Sequence, residues 1–199
     1  TPLAEISAGL RQFVQNRAVW FAVLIYVVVY SGGNAIFANV SLHAKTVLGD
    51  ETDTLGVQSF LRFGFKAAAG AMLGWLLATA SPRATLVATT SILLLGMGWA
   101  LGSTGWWFMA TFGLLGAGEL FGAYFPNYVT TASEKKFVRV NMAYLSVLST
   151  LIGFSSLAFG AISDSYGRIA SFYVAAGLLV FALFLICLLP GDPTPSETL

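Results

Sequence analysis

Three ionisable side chains, Arg62, Lys66 and Glu119, stand inside stretches that are otherwise apolar. Arg62 and Lys66 are one helical turn apart, so on a helix they project from the same face. Glu119 is the one acid among nine that falls within an apolar run. A charge at the middle of a bilayer costs roughly 2.5–3.5 kcal/mol on insertion scales. Two cations and a carboxylate at such depth need either each other or water. The chemistry open to them is anion binding by the cations and proton carriage by the acid.

Other polar groups could complete a site. Tyr26, Tyr30 and Asn34 recur every four residues beside Ser31-Gly32-Gly33. The segment Gly116, Gly118, Glu119, Gly122 is followed by Tyr124, Pro126, Asn127 and Tyr128. Proline inside a helix frees a carbonyl and kinks the chain. Close packing suffices to explain Gly113 and Gly122. Asn141 follows a basic loop and is expected to help start a helix.

The elements that carry these residues are six apolar runs: Val19–Val40, Ser59–Thr79, Leu86–Leu101, Trp106–Thr130, Met142–Ile162 and Ile169–Leu189. About 20 apolar residues span the ~30 Å hydrocarbon core of a bilayer. The fold class expected is all-α, a polytopic membrane protein with six transmembrane helices. At a rise of 1.5 Å per residue, Lys66 lies roughly 15 Å below a span start at Gly56 and Glu119 roughly 19 Å below one at Trp106. The two can meet. One reading is a Lys66–Glu119 ion pair that ties two helices together, with Arg62 reaching outward. The other gives Arg62 or Lys66 to an anionic group, with Glu119 as counter-charge or proton carrier.

Composition narrows the classes. The chain is 57% hydrophobic and 10% charged, against about 25% charged in a soluble domain. The net charge is +1 and the ten basic residues are scattered, so no nucleic-acid face is expected. One cysteine, Cys187, and one histidine, His43, allow no cysteine cluster and no multi-histidine metal or haem site. No cofactor is expected. Asn39-Val40-Ser41 matches a glycosylation acceptor, but it sits at a span end with little access and is read as accidental.

The loops form two sets. Arg11, Arg17, Arg83, Lys135, Lys136 and Arg139 fall in one; Lys45 and Arg168 fall in the other, with Asp50, Glu51, Asp53 and Asp164. Basic residues favour the cytoplasmic side. Both termini are therefore expected in the cytoplasm of a plasma or bacterial inner membrane. Trp20, Trp106 and Trp107 read as interfacial anchors. Residues 1–16 form an amphipathic linker or interfacial segment, 17–190 the transmembrane domain, and 191–199 a disordered cytoplasmic tail.

The spans divide into Arg17–Gly102 and Trp106–Leu189. Each group has a late glycine and then an arginine after its second span, in Gly74…Ser-Pro-Arg83 and Gly160…Gly167-Arg168. Three spans per group make the copies face opposite ways, the plan of two inverted three-helix repeats common in secondary transporters. Gly160-x-x-x-Asp164-x-x-Gly167-Arg168 resembles the signature loop of the major facilitator superfamily. With six spans, a basic loop after the fourth and an amphipathic approach, the chain resembles the C-terminal half of such a transporter. In the family this signature follows the second span of a half, where this chain has Ala80-Ser81-Pro82-Arg83.

The resemblance implies a glycine for close helix contact, an aspartate and an arginine in a gating network, and a cavity lined by the first, second, fourth and fifth spans. It implies secondary active transport by alternating access; the charges Arg62, Lys66 and Glu119 add the expectation of a small polar solute, an anionic one on the anion-binding reading, and of coupling to protons. A second six-helix half, upstream in the same polypeptide or in another subunit, is then needed. No enzyme activity is expected. The alternatives are a structural or regulatory membrane subunit that moves no solute and, further off, an intramembrane enzyme. Cysteines placed at Lys135 and at Asp50 are expected to label from opposite sides of the membrane, position 135 from the cytoplasm. Labelling of both from one side contradicts the six-span reading.

Overall fold

The protein is described here from a computed structural model, which places residues 7, 10, 11, 13–49, 54–191 and 193; the side chains of Asn34 and Ala38 lie outside that description. Among the described residues, six helical segments are long and apolar enough to cross a membrane. Helix α1 (Arg17–Leu48) starts where the side chain of Asn16 accepts a hydrogen bond from Val19 N at 3.2 Å. It ends at Gly49, whose φ of +93° suits glycine. The helix runs two turns beyond the apolar stretch Val19–Val40, so Lys45, expected in a loop, lies in its last turn. Helix α2 (Leu55–Thr79) returns. Helix α3 (Pro82–Gly102) opens on a Ser81 cap with Pro82 in its first turn, where a missing N–H costs nothing.

The fourth and fifth passes are each interrupted. A 3₁₀ turn (Gly105–Met109) leads into α4 (Ala110–Gly118), and α5 (Phe121–Ala132) follows. Between them Gly122 N bonds Glu119 O at 3.1 Å and Ala123 N bonds Leu120 O at 2.9 Å, a locally tightened turn. The break lies at Glu119–Leu120, ahead of Pro126, which sits inside α5. The fifth pass divides into α6 (Val138–Ile152) and α7 (Ser155–Tyr166) at Gly153–Phe154. Gly167, with φ +87°, turns the chain into α8 (Arg168–Cys187).

Contacts near the helix ends put the described members of the two expected sets at opposite ends of the bundle. At one end Asn16 Nδ2 donates to Ala132 O at 3.2 Å, Arg83 Nη1 to Leu189 O at 2.8 Å and the Tyr128 hydroxyl to Pro190 O at 3.2 Å. At the other, Arg168 Nη1 donates to Leu42 O at 2.8 Å and Asn39 Nδ2 to Ser163 Oγ at 3.3 Å. Asn39 is buried in that contact. The chain therefore alternates direction through six passes.

Helix α1 is central, packing on α8, α7, α5 and α6, while α3 packs on α4 and α8. The core is aromatic and aliphatic, with Phe121, Phe125, Phe172, Ile36 and Met97 fully enclosed. Helix α2 buries just Gln58 and Leu73 and leans on α4. Lipid tails are as apolar as leucine, so helices in a bilayer associate through close packing at small residues. Gly116 is such a place: a β-carbon there would run into the backbone of Arg62. Replacing Gly116 with Leu is expected to lower stability by roughly 1–3 kcal/mol through overpacking. Gly98→Leu, on an open side of α3 where a β-carbon meets nothing, is the control. Equal thermal midpoints for the two variants in detergent contradict the α2–α4 contact.

Candidate functional site

The close approach at Gly116 brings α2 against the end of α4, and Glu119 receives both cations there. Arg62 holds the carboxylate with two bonds, Nη2 to Oε1 at 2.8 Å and Nε to Oε2 at 3.2 Å. Lys66 Nζ lies 3.2 Å from Oε2. Two parallel N–H···O bonds are the strong geometry for arginine and carboxylate. The reading that paired Lys66 alone with Glu119 and sent Arg62 outward does not hold: Arg62 is the nearer partner, and Lys66 the second. The guanidinium also lies over the Phe37 ring, 4.9 Å from its centroid.

The three side chains are 37%, 33% and 30% exposed for Arg62, Lys66 and Glu119. Charge that exposed is poorly accommodated against acyl chains. In a bilayer this face requires water or another polar surface. Two small cavities flank the triad. One of about 90 Å³ has Glu119, Tyr30, Gly33, Phe37, Leu93 and Gly122 in its wall. The other, about 130 Å³, has Arg62, Phe37, Ser41, Gln58 and Phe112. Small-molecule sites usually measure about 300–1,000 Å³, so this surface forms part of a wall. A groove of about 920 Å³ lies elsewhere, between α3, the 3₁₀ turn and Leu183 of α8. It is larger but contains no ionisable residue, and the charges decide in favour of the triad.

The remaining expected residues are dispersed. Tyr30 reaches the triad's cavity, its hydroxyl 2.9 Å from where a Gly122 β-carbon would be. Tyr26 is buried one turn away, its ring centroid 4.5 Å from that of Phe125; it belongs to the core. Asn34 lies on α1, with its side chain outside the described residues. Asn127 is exposed on α5, about 12 Å along the helix from Glu119 at 1.5 Å per residue. Gly160, Asp164, Gly167 and Arg168 stand at the far loop end. Arg168 donates to Leu42 O and to Thr46 Oγ1 at 3.0 Å. Asp164 is exposed and makes no ion pair among the described residues.

Three features were not anticipated. Gln58 is buried one turn before Arg62, its Oε1 3.2 Å from Ser41 Oγ and its Nε2 donating to Thr54 Oγ1 at 2.9 Å. The spacing Gln58, Arg62, Lys66 repeats every four residues and was readable in the chain. The Tyr124 hydroxyl donates to Gly70 O at 3.0 Å, a second tie between α5 and α2. Asn141 does not cap a helix; it is buried in α6 and its Nδ2 donates to Ser133 Oγ at 2.8 Å.

Comparison of the chain with known protein families, curated proteins and solved structures finds no match. The class established is a polytopic all-α bundle with six candidate membrane-spanning helices. With Arg62 holding two bonds, Lys66→Gln is expected to be tolerated. Arg62→Gln should cost roughly 2 kcal/mol, below the ~3–5 of a fully buried pair because a third of each side chain is exposed. Equal losses for the two variants in chemical unfolding contradict this ranking.

Proposed function

We propose that the chain is one half of a secondary active transporter for a small anionic solute, with Arg62 and Lys66 as anion donors and Glu119 as proton carrier. The observation that carries the proposal is the partly exposed triad on a membrane-spanning face. An anion that competes for both cations frees the carboxylate, which takes up a proton in surroundings of low dielectric. Loss of that proton on the other side restores the ion pairs. Intramembrane ionisable residues mark pathways of this kind.

The partial cavities support a second six-helix set, from the same polypeptide or another subunit, as the opposite wall. The resemblance to a major facilitator half and its two inverted three-helix repeats belongs to the same proposal. It is supported by the two arginines that follow the second and fifth passes. Each binds a backbone carbonyl of another helix, Arg83 that of Leu189, just past the end of α8, and Arg168 that of Leu42, within α1. The bias of basic residues to one set of loops supports a cytoplasmic side for both termini. Alternating access moves the solute past the triad.

A structural subunit is the second reading, favoured by the two-bond Arg62–Glu119 geometry, which suits a permanent tie. Uptake separates the two. In the full-length protein, Glu119→Gln is expected to abolish proton-coupled uptake while folded protein remains in the membrane. Exchange of solute across the membrane should survive, because it needs no change of proton state. Normal pH-dependent uptake by this variant returns Glu119 to a structural role.

A further inference from the structure

We infer that the charge of the anion bound at this site is tied to the protonation of Glu119: one negative charge while the carboxylate is ionised, two when it is protonated. This rests on the triad being the solute site and names the substrate class of that site.

The triad holds two cations and one carboxylate. Among the described residues no other acid pairs with Arg62 or Lys66. Within the described residues one positive charge is left uncompensated. Arg62 Nη2 and Nε and Lys66 Nζ all bond Glu119. Arg62 Nη1, the second hydrogen of Nη2 and two of the three on Nζ stay free of it. A monoanion can take these donors with Glu119 in place, and the loaded site is neutral. A dianion takes both cations and displaces the carboxylate. Neutrality then requires one proton from the aqueous phase on Glu119; no covalent bond is broken and nothing is oxidised or reduced.

Among the described residues that line the two flanking cavities, the neighbouring helices add no other charge. Tyr30 is the titratable group from α1, and α3 contributes Leu93. Phe37, Phe112 and Phe121 line the flanking cavities. The chemistry selected is an organic anion with a flat or apolar body, divalent in the proton-coupled cycle.

Sulfonates stay ionised over the whole working pH range, so they isolate the protein's own proton. Binding of benzenesulfonate, benzene-1,3-disulfonate and neutral benzenesulfonamide would be measured on the full-length protein in phosphatidylcholine nanodiscs. Benzenesulfonate should bind with an affinity independent of pH. Disulfonate affinity should rise about tenfold per pH unit lowered, while Glu119 is ionised in the free protein, because one proton is linked to binding. In Glu119→Gln the disulfonate should lose that slope and become the tighter ligand. A disulfonate slope of zero in the unaltered protein overturns the inference, as does a Glu119→Gln variant that still prefers the monosulfonate. Equal binding of the sulfonamide overturns it too. If the variant does not fold, the slope alone decides. Binding needs no transport: a slope without uptake into proteoliposomes removes the transport reading and keeps this one, and uptake without a slope does the reverse.

Discussion

One carboxylate compensating two cations in a low-dielectric slab is the constraint on which this site depends. Arg62 and Lys66 lie one turn apart on α2. Without Glu119 they are two like charges facing the same way within a membrane. That compensation requires α2 to approach the end of α4 closely, and the approach requires Gly116 where the Arg62 backbone passes. Helix α2 has little else to hold it, since Gln58 and Leu73 are its buried residues. The Tyr124 hydroxyl on Gly70 O, at 3.0 Å, adds a second tie lower down. Glycine spacing, charge pairing and the placement of α2 are thus one arrangement seen at three levels.

The backbone is interrupted at the residue that carries the acid. Helix α4 ends at Gly118, α5 begins at Phe121, and Glu119 occupies the turn between them. A helix interior would hold its side chain at a fixed rotation. A turn with i to i−3 bonds, such as Gly122 N to Glu119 O at 3.1 Å, sets a different one. The fifth pass has its own interruption at Gly153–Phe154. Both breaks fall deep in their passes, where irregular backbone needs protein or a cavity around it: Glu119 has α2 and a flanking cavity, while Gly153 and Phe154 are exposed.

The passes were legible in the chain because a run of apolar residues long enough to cross a bilayer has few other uses. Their ends were not. Helix α1 continues through Ser41, His43 and Lys45 because tertiary contacts hold it: Arg168 binds Leu42 O and Thr46 Oγ1, and the His43 ring sits 5.4 Å from both Phe108 and Phe172. The meeting of Lys66 with Glu119 followed from spacing and depth. The larger share taken by Arg62 did not, since it depends on how far α2 is rotated against α4, which hydropathy leaves open. Pro126 pointed to a distorted fourth pass, yet the break falls at Glu119–Leu120, among small residues. Asn141 looked like a helix starter because it follows a basic loop. Its partner Ser133 lies eight residues back, across that loop, and only the fold brings them together.

The most direct measurement of the central claim is a charge exchange between α2 and the α4–α5 turn. Arg62→Glu alone leaves two carboxylates beside one lysine. Glu119→Arg alone gathers three cations. Arg62→Glu combined with Glu119→Arg restores one acid between two bases. Thermal midpoints of the three variants, read in lipid nanodiscs, should show both single changes strongly destabilised and the double change largely recovered. A double variant no more stable than the worse single one would mean that Glu119 does not compensate Arg62 in the membrane, and the account of the triad would fail.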